Sequence, residues 1–358
     1  MKVDKIMKLD RFKEIFRSSF SDSEEWCDWF FGSVASEECV YLASANDGKA
    51  ASTLLAQPYE LHYEGALLPT VYISCVATLP EYRSRGLASA VLKDAMIDAR
   101  SKGAVMAELI PAEDHLYYFY SGLGFATVFY ADVEHYTSLH TFRPGRGNLV
   151  EPTYELFHAI ELAQGCSVLH SRADYENILS DMSLDGAPIL LAATDDEGGS
   201  AMLFAVADGD DAVKVKWLAG QSKYAVRTLL AELRRQIGEK DVTVVRPPES
   251  GDRALMRPYG MGRVLRPGIF LSVLAAAHPE LAITVRIGDD IIPSNSGIYA
   301  VADGKCTFTP AADTPRGLKA DLDVTAETFT AVVFSSHATS EIIGLPASRP
   351  AMGLMLDQ

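Results

Sequence analysis

Apolar residues recur at helical spacing over residues 7–20, where Leu9, Phe12, Ile15 and Phe16 share one face and Asp10 can cap the start. Ser21 and Glu24 fit a capping box that opens a second helix, with Trp26, Trp29 and Phe30 on one side. The pattern then turns to strands. Residues 38–45 read as one strand, Asn46-Asp47-Gly48 as a hairpin turn, 49–61 as the return, and Tyr63-Glu64-Gly65 as a second turn. Residues 67–78 are an apolar, β-branched run that predicts a buried strand, stopped by Pro80. A helical stripe follows (Leu87, Ala88, Val91, Leu92, Ala95, Ala99) and ends at Gly103. Residues 104–110 form the next strand. A strand, a helix and a strand make a crossover, so the two strands are expected to be parallel neighbours. Pro111 then introduces a short helix ending in Phe119-Tyr120-Ser121-Gly122-Leu123-Gly124-Phe125.

The plan repeats after Arg143-Pro144-Gly145-Arg146-Gly147, a linker by composition. Helices are expected over 153–164 and 173–182, the latter capped by Ser171. Strands are expected over 189–193, 201–207 and 212–218. A helix over 224–237, a strand over 242–246 and the segment Met256-Arg257-Pro258-Tyr259-Gly260-Met261 complete the same order of elements. Beyond Pro267 the pattern changes to short strands over 281–288, 291–293, 298–302 and 305–309, with a helix over 325–335.

A chain of 358 residues divides into two or three domains, and 48% hydrophobic residues supply ample cores. The net charge of −16 argues against nucleic acid and anionic membrane surfaces as partners. Five dispersed cysteines lack metal-ligand spacing, so reduced thiols and no metal are expected. No apolar run is long enough to span a bilayer and no signal core opens the chain, so a cytoplasmic protein is expected.

Candidate chemistry concentrates on residues 72–89. Arg83, Gly86 and Ala88 fall on an Arg-x-x-Gly-x-Ala spacing between a strand and a helix start. Such a turn is either a plain tight connection or an anion cradle, in which unpaired N–H groups and the helix dipole face a phosphate. No Lys-Ser or Lys-Thr follows the glycine and no Gly-x-Gly-x-x-Gly exists, which excludes a Walker loop and a dinucleotide fingerprint.

Val-Ala-Thr-x-Pro-x-Tyr-Arg-x-Arg-Gly-Leu-Ala, with Phe-Tyr-x-x-x-Gly-Phe about 35 residues later, resembles the two signatures of the GCN5-related N-acetyltransferases, the GNAT superfamily. The tandem repeat with a different last module resembles the Eis-type (enhanced intracellular survival) members. The resemblance implies an α+β fold. A catalytic GNAT domain would occupy residues 1–142, a GNAT-like domain without the CoA motif 143–268, and a sterol-carrier-like domain 269–358. It implies transfer of an acetyl group from acetyl-CoA to a primary amine by direct attack in a ternary complex. The alternatives are another acyl-CoA donor, or a CoA- or lipid-binding scaffold without turnover.

By the same resemblance, Val76, Ala77 and Thr78 contact pantetheine through their backbone, with Val76 N–H as oxyanion donor. Ser84, Arg85, Gly86, Leu87, Ala88 and Ser89 hold the pyrophosphate, and His115 and Leu116 also touch CoA. Arg83 and Arg85 either add charge or stay solvated. His115 is either a base or a surface residue. Tyr120 is placed as the acid that protonates the CoA sulfur, since a phenol with pKa of about 10 carries its proton at neutral pH. The Gln358 carboxylate is the candidate base, although Eis-type chains commonly end in an aromatic residue; a nearby Asp or Glu, a water chain or no base are the alternatives. Trp26, Trp29 and Phe30 either fill the core or wall the acceptor. A small-molecule or peptide amine acceptor and a homo-oligomer are the implied partners.

Overall fold

The computed structural model describes residues 8–184, 186–248, 256–315 and 317–356. Two helices, α1 (Lys8–Arg17) and α2 (Glu24–Ser33), precede a meander of β1 (Val40–Ser44), β2 (Ala50–Tyr63) and β3 (Ala66–Thr78). Helix α3 (Leu87–Ser101), strand β4 (Met106–Leu109), helix α4 (Asp114–Ser121) and strand β5 (Ala126–Tyr136) follow. The second unit runs through β6 (Gly147–Val150), α5 (Tyr154–Ala163), β7 (Cys166–Leu169), α6 (Arg172–Leu184), β8 (Ile189–Asp195), β9 (Ser200–Ala207) and β10 (Ala212–Gly220). It continues with α7 (Lys223–Ile237), β11 (Asp241–Arg246) and β12 (Arg257–Val264). The last unit holds α8 (Pro267–Ala277), β13 (Ile283–Gly288), β14 (Gly297–Ala302), β15 (Lys305–Pro310), β16 (Leu322–Thr325), α9 (Ala326–Val333) and α10 (His337–Ile343).

The first two units share one twelve-stranded sheet in the order β1-β2-β3-β4-β12-β5-β11-β10-β9-β8-β6, with β7 added to β2. The crossover through α3 makes β3 and β4 parallel, as its sequence order requires. The second unit repeats this with β10 and β11 around α7. The units also exchange strands. β12 comes from the second unit but pairs antiparallel with β4 and β5. β5 comes from the first unit and pairs antiparallel with β11. Each unit's parallel strand is therefore covered by the last strand of the other.

Helix α3 buries Val91, Leu92, Ala95, Met96 and Ala99 against one face of the sheet. Each fully buried large side chain there contributes about 1.5–3 kcal/mol. On the opposite face α1 and α2 pack their aromatic rings over β1, β2 and β3. The last unit docks on that same face through Phe270, Leu271, Phe329 and Phe334, which meet Tyr63, Met106 and Phe129. The segment Ala351–Leu356 is buried. It leaves the last unit by a parallel bridge to Ser167 and enters the second unit's core beside Phe157 and Trp217.

Several local expectations change. Helix α2 is capped by Ser23, whose Oγ accepts from Trp26 N at 3.1 Å, so Ser21 and Glu24 do not form the capping box. Asp10 lies within the first turn of α1 rather than before it. The linker contributes β6, which pairs with β8. Residues 291–293 are not a strand, because the Asp289 carboxylate takes the N–H groups of Ile291 and Ile292 at 3.1 and 2.9 Å and turns the chain. Strands β5, β7 and β16 and helices α8 and α10 have no counterpart in the pattern of the sequence.

One buried ion pair joins three of these pieces. Arg263 on β12 and Asp289 after β13 are each 1% exposed at the side chain and meet at 2.8 Å. Arg263 also donates to the Leu123 carbonyl. Asn295 donates to Asp289 at 3.0 Å. A Cβ on Gly124, whose φ is +83°, would stand 1.7 Å from the Arg263 guanidinium, so the glycine of the second signature is fixed here by conformation and space. Removing one partner leaves a buried charge uncompensated. Asp289→Ala is expected to lose about 3–5 kcal/mol of unfolding free energy in urea titrations; a loss under about 1 kcal/mol would mean the pair does not lock the last unit to the sheet.

Candidate active site

The site begins where β3 and β4 part. Their pairing runs Thr70↔Met106, Val71↔Ala107 and Tyr72↔Glu108, and no further pair joins them among the described residues. On its other side β4 pairs with β12 from Met106 through Leu109, so the strand runs on past its last pair with β3. The edge of β3 from Ile73 onward thus faces a gap. A bulge lies opposite it. Thr53 pairs with Ala77 and Leu55 with Ser74, so Cys75 and Val76 together oppose the single Leu54. Cys75 holds φ at 54°, a left-handed conformation uncommon for a residue with a side chain. The bulge re-aims the backbone at Val76, Ala77 and Thr78.

The chain then enters a short 3-10 turn (Pro80–Tyr82) and reaches α3 through Ser84, with φ 59°, and Gly86, with φ 79°. Gly86 is the N-cap of α3, and no side chain caps the helix. Nothing lies within 4 Å of where its Cβ would be, so the turn is open at the helix start. This geometry suits an anion. The arginines on either side are held locally. Arg83 Nε donates to the Thr78 carbonyl at 3.1 Å, and Arg85 donates to the Glu81 carbonyl at 2.7 Å and lies over the Tyr82 ring. Both are exposed, with their guanidinium groups beside the turn.

Tyr120 belongs to the core cluster that also holds Ile73 of β3 and Leu109 of β4. It is buried at the end of α4 and its carbonyl accepts from Leu123 N and Phe125 N at 2.9 and 3.2 Å. Its ring contacts Phe119 and Phe125. Val76, Leu87 and Leu116 pack against the cluster that contains Tyr120. The structure therefore gathers the bulge, the α3 start and the candidate acid around one core. His115 is left outside this group. It is exposed, with Nδ1 3.2 Å from Glu113 Oε2 at the surface. Gln358 lies outside the described residues, but the approach to it is defined. Leu354 and Leu356 pack into a cluster flanked by Trp29 and Val34 of the first unit.

Trp26, Trp29 and Phe30 serve mainly as core. Trp26 stacks on Phe30 at 4.6 Å, and Phe16 lies parallel to Trp26 at 6.0 Å. Trp26 Nε1 also donates to Asp181 on α6 at 2.8 Å, which ties the second unit to α2. The acids of that helix remain at the surface, where Arg17 meets Glu24 at 2.8 Å and Asp28 at 3.5 Å.

Pattern reasoning did not single out Glu108. It is wholly buried at the last β3–β4 pair. Thr70 Oγ1 donates to its Oε1 at 2.9 Å, and Oε2 has no hydrogen-bond partner among the described residues. Burial pushes its pKa up to about 8, against a smaller opposing pull from Thr70. Its only advance signal is an acidic residue inside an otherwise apolar strand.

Residues 5–128 match the family model of the acetyltransferase (GNAT) domain. The match is confined to the first unit and marks it as similar to a GNAT domain. No curated protein matches the chain. Among solved structures, a GCN5-related N-acetyltransferase from Anabaena variabilis is similar at 16% identity with a TM-score of 0.74, covering 97% of each chain. A probable N-acyltransferase from Enterococcus faecalis is similar at 16% identity and TM-score 0.73, covering 97% of this chain and 96% of the other. Eis1 from Mycobacterium abscessus is similar at 15% identity and TM-score 0.68, covering 94% and 90%. These likenesses extend the fold match beyond the GNAT domain to nearly the whole chain. The fold is mixed α and β, as expected, with a second GNAT-like unit and a further α+β module. Among the described residues, no helix is long and apolar enough to cross a membrane.

The raised Glu108 pKa has a thermodynamic consequence for the GNAT domain. Between the ordinary carboxylate value of 4.5 and about 8, the native state keeps a proton that the unfolded chain releases. Stability from this group is full below that window, falls as pH rises through it, and levels off above. Glu108→Gln, which mimics the protonated form, is expected to match the parent near the lower limit and to exceed it increasingly toward the upper one. Urea midpoints measured across the range check this; a difference between the two proteins that does not grow with pH would contradict it.

Proposed function

We propose that the protein is an acetyl-CoA-dependent N-acetyltransferase that moves an acetyl group to a primary amine by direct attack in a ternary complex. The observation that carries the reading is the re-aimed backbone at Cys75–Val76 and the uncapped helix start at Gly86, with Val76 and Leu87 packed against the same cluster as Tyr120. Acetyl-CoA is the donor substrate. The first-turn amides of α3, from Leu87 to Ser89, with Ser84, Arg85 and Gly86, hold its pyrophosphate. The backbone of Val76, Ala77 and Thr78 aligns its pantetheine arm, and Leu116 packs at the edge of the same cleft. In this reading His115 is a surface contact at most.

Val76 N–H stabilises the oxyanion that forms when the neutral amine nitrogen adds to the thioester carbon. The C–N bond forms, the C–S bond breaks, and the Tyr120 phenol supplies a proton to the departing sulfur. The proton lost by the amine passes to a base, for which we propose the Gln358 carboxylate. The buried course of residues 351–356 supports that assignment, because Leu354 and Leu356 belong to the cluster against which Trp29 of α2 packs.

The proposed domain division is 1–142 for the catalytic GNAT domain, 143–268 for the second GNAT-like unit and 269–358 for a sterol-carrier-like module. In this division β12 belongs to the second domain by chain order and completes the sheet of the first. The acceptor enters on the face carrying α1 and α2, where α6 and the C-terminal segment form a wall. A cytoplasmic homo-oligomer acting on a small-molecule or peptide amine is the corresponding setting.

The test is thiol release from acetyl-CoA with a panel of polyamines, aminoglycosides and lysine peptides. Tyr120→Phe is expected to lower kcat by about 10²–10⁴-fold with little change in the KM for acetyl-CoA. Gly86→Glu, which strains a left-handed position and puts a carboxylate where the pyrophosphate would sit, is expected to abolish acetyl-CoA binding. Tyr120→Phe with unchanged kcat across the pH range removes Tyr120 as acid. Acetyl-CoA bound without release of the CoA thiol in the presence of any acceptor points to a scaffold, and unchanged acetyl-CoA binding in Gly86→Glu removes the turn as the CoA cradle.

A further inference from the structure

The second unit repeats the opening of the first, though it lacks the sequence signature. Pairing between β10 and β11 ends at Val215↔Val244. A bulge sits beside that point: Val215 pairs with Ala205 and Trp217 with Phe204, leaving Lys216 as the extra residue. Helix α7 follows, as α3 follows β3. Its start differs, because Ser222 Oγ accepts from Tyr224 N and Ala225 N at 3.0 and 3.2 Å. The backbone amides that serve at α3 are therefore already used here.

A cleft of about 1010 Å³ nevertheless opens at this place, and its charge is opposite to that of the chain. Arg143, Lys223, Arg227, Arg246 and Arg349 line it, with Glu134 as the acidic lining residue. Glu134 is paired with Arg246. Arg143, Lys223 and Arg227 are exposed and have no acidic partner among the described residues. The chain as a whole carries 32 basic against 48 acidic residues, so a concentration of cations around one cleft is not a sample of the average surface. Like charges around one cleft repel one another, and a bound anion relieves the repulsion. One wall is aromatic. Tyr136, His140 and Phe142 line the cleft, with ring centroids 4.6, 4.8 and 4.7 Å apart.

We propose that this cleft is a second ligand site, distinct from the acetyl-CoA cleft, for a small organic polyphosphate with a planar ring, of the nucleotide type. Arg143, Lys223 and Arg227 take the phosphates through side chains, in place of the helix amides used in the first unit. The aromatic wall takes the ring. Guanidinium groups suit phosphate oxygens because their fork makes paired, charge-assisted hydrogen bonds.

The test uses the full chain, with a fluorescent ATP analogue and inorganic tripolyphosphate as probes. The Gly86→Glu background isolates the cleft from the first site. The ATP analogue is expected to bind one per chain, and more weakly as salt rises from about 50 to about 300 mM. The double variant Lys223→Glu, Arg227→Glu changes only exposed side chains and is expected to weaken both probes at least about tenfold. Acetyl-CoA binding to this double variant, with Gly86 intact, is expected to be unchanged. Phe142→Ala is expected to weaken the ATP analogue but not tripolyphosphate. Absence of binding by both probes, or affinity indifferent to salt and to the double variant, overturns the proposal. Tripolyphosphate binding alone, with the ATP analogue excluded, overturns the ring-bearing ligand.

Discussion

Backbone amides inside a sheet require partners, and the cleft exists because β3 and β4 stop supplying them to each other after Tyr72 and Glu108. Two devices make this break tolerable. The bulge at Cys75–Val76 turns part of the β3 edge out of the regular ladder. Strand β12 pairs along the other side of β4 from Met106 to Leu109, so β4 stays in the sheet after it leaves β3. The gap that remains is lined by polar backbone in an otherwise apolar core. That combination suits a ligand with its own amide groups and a phosphate end better than a purely apolar one.

The strand exchange explains why the units cannot be treated as beads on a string. β12 is needed to complete the first unit, and β5 to complete the second. The Arg263–Asp289 pair then couples β12 to the last unit and, through the Leu123 carbonyl, to the turn that follows Tyr120. A module far along the chain thereby holds the frame of the candidate acid. The C-terminal segment adds a further tie, running from the bridge at Ala351 to the cluster shared by Phe157 and Trp217.

Much of this was legible where one local pattern sufficed. The stripe of α3, the crossover to β4, the Asn46-Asp47-Gly48 turn and the two signatures are short-range features, and each is realised close to its expected position. What local patterns cannot carry is register between distant segments. Nothing in residues 256–261 distinguishes pairing with β11 from insertion between β4 and β5. The bulge has no glycine to mark it; Cys75 adopts its conformation because the surrounding sheet imposes it. Glu108 looked like one acid in a strand, and only the packing reveals that it is buried with an unsatisfied oxygen. Ser21 and Ser23 are both competent caps, and the choice fell to the one that lets α2 start beside Asp181. The absence of the signature in the second unit describes its backbone cradle, but says nothing of the arginines that the fold gathers there.

In the proposed reaction the gap between β3 and β4 receives the thioester, with Val76 N–H on its oxygen and Tyr120 on its sulfur. The most direct measurement is a crystal structure of the chain with a non-hydrolysable acetyl-CoA analogue. The account predicts the analogue's carbonyl oxygen within about 3 Å of Val76 N and the Tyr120 hydroxyl at hydrogen-bond distance from the sulfur position. An analogue bound with its acyl end outside the gap, or with Tyr120 directed away from it, would contradict the account.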